Sequence, residues 1–333
     1  MNNTGPIIFT YKNRALGDAI ISFGAIQYLK KYIPDSRVVF GVPAWVFPMF
    51  KNIKSAADVV IPIQLKSVND WIQLYGEVKS LNPDIMIELF QSGRGKKFGK
   101  LYQSINKTHY YGNNHHLDDG NFKKSNIQRD IDGIRAHIPD LPSVSYLDFT
   151  PNFKLKSERT KKDIIIFGIV ATRETKLWPI ENYHSLAKKI LSEFPNVKIR
   201  IPISQNKLDQ YLKTRFLGLG AINGVEFLET SLEFLPEKIG EAKYYIGNDT
   251  GIKHLSIALG LRSLSFFGPE PPVEWHPYCK VNHPYYYIDN LECRTRKAHF
   301  CGLNECDSMI CLNSISPDVI FDDLKKTLLE VLC

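Results

Sequence analysis

Four short polar clusters follow apolar runs in this chain, and each holds residue types that handle phosphate or protons. The first is Asp249-Thr250-Gly251, between the apolar run Tyr244–Gly247 and a stretch whose Ile252, Leu255, Ala258 and Leu259 share one helical face. The spacing predicts a strand, a turn and a helix over Gly251–Leu259. N–H groups in the first turn of a helix lack intrahelical partners, and the dipole is positive there, so a diphosphate can bind. Thr250 adds a hydroxyl, and His254 lies one turn further on. A plain N-cap role for Asp249 or Thr250 accounts for the same residue types. The second cluster is Val170–Pro179, where Thr172 and Thr175 can hydrogen-bond phosphate and Lys176 carries a point charge on a long stem. A departing diphosphate gains negative charge as its bond breaks, so a cation held there favours the transition state. The third is Asn13–Asp18, with Gly17 at a turn and Asp18 at a helix start, fit for an N-cap or for a general base. The fourth is Glu88–Lys97, a basic, glycine-containing loop in which Gln91, Arg94, Lys96 and Lys97 can grip phosphates or carboxylates.

Regular elements must hold these clusters in place. At 333 residues, two domains are expected. In the first half, strands are predicted at Ile7–Thr10, Arg37–Val42, Val59–Ile63, Ile85–Leu89 and Lys107–Tyr111, with helices over Ala19–Tyr32 and Asp70–Leu81. Strands alternating with helices imply a parallel sheet, because each helix returns the chain to the same end. Residues 112–160 break the alternation; they are polar, with Pro139, Pro142 and Pro151, and read as a mobile insertion followed by a linker. A second alternation begins at Ile164–Ile169. It continues with Ile180–Phe194, Val197–Ile203, Leu208–Leu217, a helix capped by Ser231 and ending at Ala242, then Tyr244–Gly247, Gly251–Leu259, Arg262–Phe267 and a final amphipathic helix over Pro317–Leu332. The fold class is therefore α/β, two doubly wound parallel-sheet domains over residues 1–155 and 156–333, with helix 317–332 able to pack back toward the first.

Composition narrows the partners. The chain is 44% hydrophobic and 23% charged, as in soluble globular domains. No apolar run reaches the ~18 residues of a membrane-spanning helix. Met1–Pro6 shows no secretory pattern, so a cytoplasmic place is expected. The net charge of +7 suits anionic partners and loose contact with the inner membrane face. There is no dense basic stripe or nucleic-acid reading motif, so nucleic acid is not expected as a partner. Cys293, Cys301, Cys306 and Cys311 lie close in sequence without the paired C-x₂-C of zinc modules; free thiols are the expected state, with a metal site the lesser alternative.

The order Asp249-Thr-Gly, His254-Leu, strand, Phe267-Gly-Pro is similar to the signature of the heptosyltransferase family, glycosyltransferase family 9. The loop Thr172…Lys176-Leu-Trp-Pro179 resembles that family's Thr…Lys-x-Trp-Pro loop. Gly17-Asp18 followed by Leu29-Lys30 and Pro34 resembles its first turn and helix, and Cys311…Val319 its C-terminal helix start, as in a complete chain. The resemblance implies a GT-B fold of two Rossmann-like domains facing a central cleft. It also implies an inverting, metal-independent transferase without a cofactor, ADP-heptose as sugar-nucleotide donor, and a lipopolysaccharide-core or other anionic glycolipid acceptor. Asp249, Thr250 and Gly251 would then contact donor phosphates and sugar with His254 beside them, Thr172, Thr175 and Lys176 would serve the diphosphate, Asp18 would be the base, and the first domain would hold the acceptor. One departure is the turn Pro202–Lys207, where the family carries a glycine-rich turn and a ribose-reading acid; here only Ser204 and Gln205 are left to meet a base or ribose. Two other readings stand beside this one. A sugar-nucleotide epimerase of the same fold would need several carboxylates near the sugar, against Asp18 and Glu88 here. A non-catalytic nucleotide-binding module would bind without turnover.

Overall fold

Short apolar strands alternating with amphipathic helices build two parallel sheets in this chain. The computed structural model describes residues 5–113, 124–294, 301 and 306–332. The chain divides into two units, Met1–Lys154 and Leu155–Cys333.

The first unit has strands β1 (Ile7–Tyr11), β2 (Arg37–Pro43), β3 (Val59–Ile63), β4 (Ile85–Glu88) and β5 (His109–Gly112), all parallel, in the order β3-β2-β1-β4-β5. Its helices are α1 (Leu16–Ile21), α2 (Phe23–Tyr32), α3 (Val68–Leu81), α4 (Gly93–Ile105) and α5 (Asn126–His137). Helix α3 starts at a reciprocal cap. The Ser67 hydroxyl accepts from the Asp70 N–H at 3.2 Å, and the Asp70 carboxylate accepts from the Ser67 N–H at 2.7 Å. It stops at Asn82, whose left-handed backbone (φ 49°) closes the last turn.

Three expectations for this unit are corrected. The helix expected over Ala19–Tyr32 begins earlier and is stepped at Ser22, whose hydroxyl turns inward to the Asp130 carboxylate at 2.9 Å. The basic stretch 93–97 is the first turns of α4, not a loop. Its glycines hid the helical period, and close packing requires two of them. A Cβ on Gly95 would lie 2.2 Å from Glu88 Oε1, and one on Gly99 would lie 2.1 Å from the Tyr110 ring. The expected insertion and linker at 112–160 contains α5, whose Ile127, Ile131 and Ile134 are fully buried. Residues 114–123 of that stretch lie outside the described residues.

The second unit has β6 (Ile164–Gly168), β7 (Lys198–Pro202), β8 (Val225–Leu228), β9 (Tyr244–Asn248), β10 (Arg262–Phe267) and β11 (Tyr285–Tyr287), all parallel, in the order β8-β7-β6-β9-β10-β11. This is the doubly wound dinucleotide-fold order, with its switch point between β6 and β9. The helices are α6 (Ile180–Glu193), α7 (Lys207–Gly218), α8 (Leu235–Gly240), α9 (Gly251–Ala258), α10 (Pro272–Trp275), α11 (Ile310–Asn313) and α12 (Pro317–Leu332). Strands β8 and β11 had no counterpart in the sequence reading, being four and three residues long and only half-buried. Ser231 does not cap α8, which starts at Leu235 with Phe234 as N-cap. The final helix, which the sequence leaves able to pack toward the first half, has its apolar face within its own unit. Its Ile320, Leu324, Leu328 and Leu332 join the core of the second unit, with Tyr183, Leu186 and Ile190 of α6 and the inward residues of β6, β7 and β10.

Candidate active site

Ligands of open α/β sheets bind beyond the carboxyl ends of the strands, beside the switch point. In the second unit the segments leaving β6 and β9 hold Thr172–Lys176 and Asp249–Gly251, so the strand order alone makes neighbours of two clusters far apart in sequence. Two further contacts lock them together. The Asn248 carboxamide accepts from the Trp178 N–H (3.0 Å) and donates to the Ile169 carbonyl (2.8 Å). The Trp178 indole N–H donates to the Ile315 carbonyl (3.0 Å), fixing the loop from its far side. Gly268, after β10, packs so closely that a Cβ there would lie 2.9 Å from the Thr175 carbonyl oxygen.

Asp249 is the electrostatic centre. Its Oδ2 accepts from Lys176 Nζ at 3.1 Å and its Oδ1 from Lys253 Nζ at 2.5 Å, with His254 Nε2 at 3.7 Å. Burial by itself raises a carboxyl pKa, but the Lys176 and Lys253 charges outweigh it and hold Asp249 well below the usual range. Lys253 is fully buried; burial lowers its pKa to about 8, opposed by Asp249 and aided by Lys176. Burial, with Lys253 next to it, keeps His254 well below the ordinary histidine value, hence neutral; its Nδ1 pairs with the Tyr278 hydroxyl at 2.6 Å. Thr250 is the N-cap residue of α9, but its side chain makes no capping bond. The Tyr245 hydroxyl beside it already donates to the Asn248 carbonyl (2.8 Å). Thr250 Oγ1 and Thr175 Oγ1 are thus buried hydroxyls without a hydrogen-bond partner, a costly state that a ligand oxygen would relieve. Thr172 is exposed. Arg173 pairs with Glu270 of the proline-rich loop, joining the two walls. Burial raises the Glu270 pKa, with Lys176 and Arg173 pulling the other way.

The turn after β7 is occupied with its own bonds. Ser204 N–H donates to Asp209 (2.9 Å), and Ser204 Oγ accepts from the Asn206 carboxamide (2.6 Å). The Gln205 carboxamide donates to Glu229, which also accepts from Lys213 at 2.6 Å. An acid, Glu229, one residue beyond β8, thus reaches this turn although the turn's own sequence has none.

In the first unit Asp18 lies in the first turn of α1 and is nearly buried. The N-cap position belongs to Ala15, so the capping role considered for Asp18 does not hold. Its nearest cation is Arg14, Nε to Oδ1 3.6 Å, with the guanidinium 3.9 Å from the Phe90 ring centroid. Beneath the turn, Lys12 Nζ meets Asp130 at 3.1 Å, both side chains fully buried, so α5 anchors the segment that carries Asp18. Lys12 and Asp130 escaped sequence reasoning because they are 118 residues apart; Asn248 and Glu229 escaped it for the same reason. Lys253 carried a local signal, since it stands one helical turn after Asp249.

The acceptor candidates sit after β4. Lys96 and Lys97 are exposed on α4, while Arg94 Nη1 is committed to the Leu65 carbonyl at 3.2 Å. The Gln91 N–H donates to the Asn113 carbonyl at 2.8 Å. Buried Glu88 ties this turn together, accepting from the Ser92 N–H (3.0 Å) and the Tyr110 hydroxyl (2.6 Å). Burial raises its pKa, and the same hydrogen bonds with Lys96 lower it in part. Glu88→Ala would strand both donors and is expected to cost about 1–3 kcal/mol in denaturant unfolding, with Glu88→Gln recovering most of it.

Cys293, Cys301, Cys306 and Cys311 are not disulfide-bonded and line one pocket with Thr175, Pro269 and Arg294. Among the described residues, no group of three or more His, Cys, Asp or Glu is arranged to hold a metal ion.

Comparison with known proteins agrees with this layout. Residues 133–299 match the family model of glycosyltransferase family 9 (heptosyltransferase). Lipopolysaccharide heptosyltransferase 1 of Campylobacter coli is 26% identical over 292 residues, 77% of this chain and 82% of that protein. Lipooligosaccharide heptosyltransferase 2 of Campylobacter jejuni is 23% identical over 332 residues, 96% of this chain and 98% of that protein. Among solved structures, E. coli ADP-heptose lps heptosyltransferase II has a TM-score of 0.73 at 19% identity, covering 97% of this chain and 98% of that one. E. coli heptosyltransferase WaaC with ADP has a TM-score of 0.65 at 15% identity, over 98% and 99%. These likenesses give the fold as GT-B. With the family match spanning half its length, the chain belongs to glycosyltransferase family 9, the heptosyltransferases, and is a glycosyltransferase.

Proposed function

We propose that this enzyme transfers heptose from ADP-heptose, with inversion at the anomeric carbon, to a sugar of a lipopolysaccharide or lipooligosaccharide core. The observation that carries the donor half is the pair of partnerless buried hydroxyls, Thr175 and Thr250, flanking the Lys176–Asp249 ion pair at the start of α9. Diphosphate oxygens would take those hydroxyls and the free N–H groups of the helix start. Lys176 and that helix end would neutralise the leaving ADP, so no metal is required. Gly251 starts the helix and His254 stands behind it as a neutral buttress. Ser204 and Gln205 would meet base or ribose once released from their local partners. Asp18 would take the proton of the attacking acceptor hydroxyl, and Gln91, Arg94, Lys96 and Lys97 would hold the anionic acceptor.

Names of relatives support the donor and acceptor classes: one neighbour is an ADP-heptose heptosyltransferase and another was solved with ADP. None of the helices among the described residues is long and apolar enough to cross a membrane. Work at the cytoplasmic side with loose contact to the inner membrane fits a lipid-anchored acceptor. The test is incubation with ADP-heptose and a heptose-deficient core oligosaccharide, following ADP release, acceptor mass and product anomeric configuration, with and without EDTA. Transfer with inversion, unchanged by EDTA, is expected. An isomerised donor in the absence of acceptor would favour an epimerase, and binding without turnover a non-catalytic module.

A further inference from the structure

The Asp249 carboxylate holds two lysines at once, and the two differ in freedom. Lys176 reaches it from the β6 loop with its side chain 14% exposed; Lys253 reaches it from within α9 with 0% exposed. Lys253 is pinned further, donating to the Trp275 carbonyl at 2.9 Å and lying 4.5 Å from the Phe267 ring centroid. Of the two, only Lys176 has the exposure to turn toward a ligand; Lys253 would have to give up the Trp275 carbonyl as well as the carboxylate. We propose that Lys253 is a positioning residue of the donor site, the standing counter-ion of Asp249 that lets Lys176 pass from the carboxylate to an incoming nucleoside diphosphate. This rests on reading the paired loops as the diphosphate site.

The reasoning is electrostatic. Asp249 is buried, and a buried charge stripped of its partner is strongly unfavourable. If Lys176 were its sole cation, each binding event would leave a bare carboxylate beside a diphosphate. Lys253 prevents that, and its own charge firms as the exchange proceeds. Burial lowers its pKa and Asp249 opposes that, while the nearby Lys176 charge lowers it further. Drawing Lys176 onto phosphate weakens this last effect. Neutral His254 cannot substitute, since burial and Lys253 keep it uncharged.

The test is calorimetric binding of ADP to wild type, Lys253→Met, Lys253→Arg, Asp249→Asn and the double variant Asp249→Asn/Lys253→Met, with melting curves as a check on folding. Lys253→Met is expected to weaken ADP binding about tenfold or more, and Lys253→Arg to recover most of it. In the Asp249→Asn background, with no carboxylate to balance, adding Lys253→Met should change binding by less than about twofold. A Lys253→Met protein that binds like wild type overturns the proposal. So does an equal loss in both backgrounds, which would mean that Lys253 meets phosphate itself or acts only through folding. Wild type that binds no ADP overturns the donor-site reading and this proposal with it.

Discussion

Asp18→Ala should lower sugar transfer by about 10²–10⁴-fold while ADP affinity stays that of wild type. Asp18 lies in the first unit, in the first turn of the helix that follows β1, and the diphosphate candidates lie in the second. A carboxylate that only accepts a proton in the transition state affects kcat and leaves donor binding alone. It also has little structural work to do. It makes no helix-capping bond, and its ion pair with half-exposed Arg14 is long, so the fold should survive. Asp18→Asn, similar in volume and unable to take the proton, should match the alanine variant. Initial rates of ADP release at saturating donor and acceptor measure the effect. Full activity in either variant would remove Asp18 from the chemistry.

Lys176→Met should reduce kcat by about 10²–10³-fold, the usual loss when one preorganised charge at a developing anion is removed. Charge on the departing ADP is largest in the transition state, so the loss should exceed any weakening of ground-state binding. Asp249 keeps Lys253 in this variant, so folding should be preserved. Lys176→Arg should restore part of the rate, because guanidinium supplies the charge with a different reach. Single-turnover rates, which exclude product release, separate the two effects. Equal loss of kcat/KM and of donor affinity with unchanged kcat would assign Lys176 to binding alone.

The elements were legible where the hydrophobic pattern was long and regular. Arg262–Phe267 and Pro317–Leu332 are found where the pattern puts them, and most other strand and helix ends move by one to three residues. Helix α4 was not legible, because Gly93, Gly95 and Gly99 read as a loop until the Glu88 carboxylate and the Tyr110 ring are seen filling the space of the side chains missing at Gly95 and Gly99. Helix α5 was masked by charge: Arg129 and Asp130 look like surface residues, yet Asp130 is fully buried against Lys12. The site was legible as separate pieces. Asp18, Thr175, Lys176 and the Asp249 triplet each stood out as chemistry at the end of a strand, but nothing local joined them.

Residue order by itself determined that these polar turns follow strands and open helices, because hydrophobic period and turn chemistry act within a few residues. It also determined Lys253 as a neighbour of Asp249, one helical turn away. Tertiary structure alone decided that Lys176, 73 residues earlier in the chain, shares that carboxylate, that Asn248 clamps the loop bearing it, and that Glu229 comes to Gln205. Charge interactions depend on distance and on exclusion of water. Both are set by the strand order β8-β7-β6-β9-β10-β11 and by what packs over it, which no short stretch of sequence encodes.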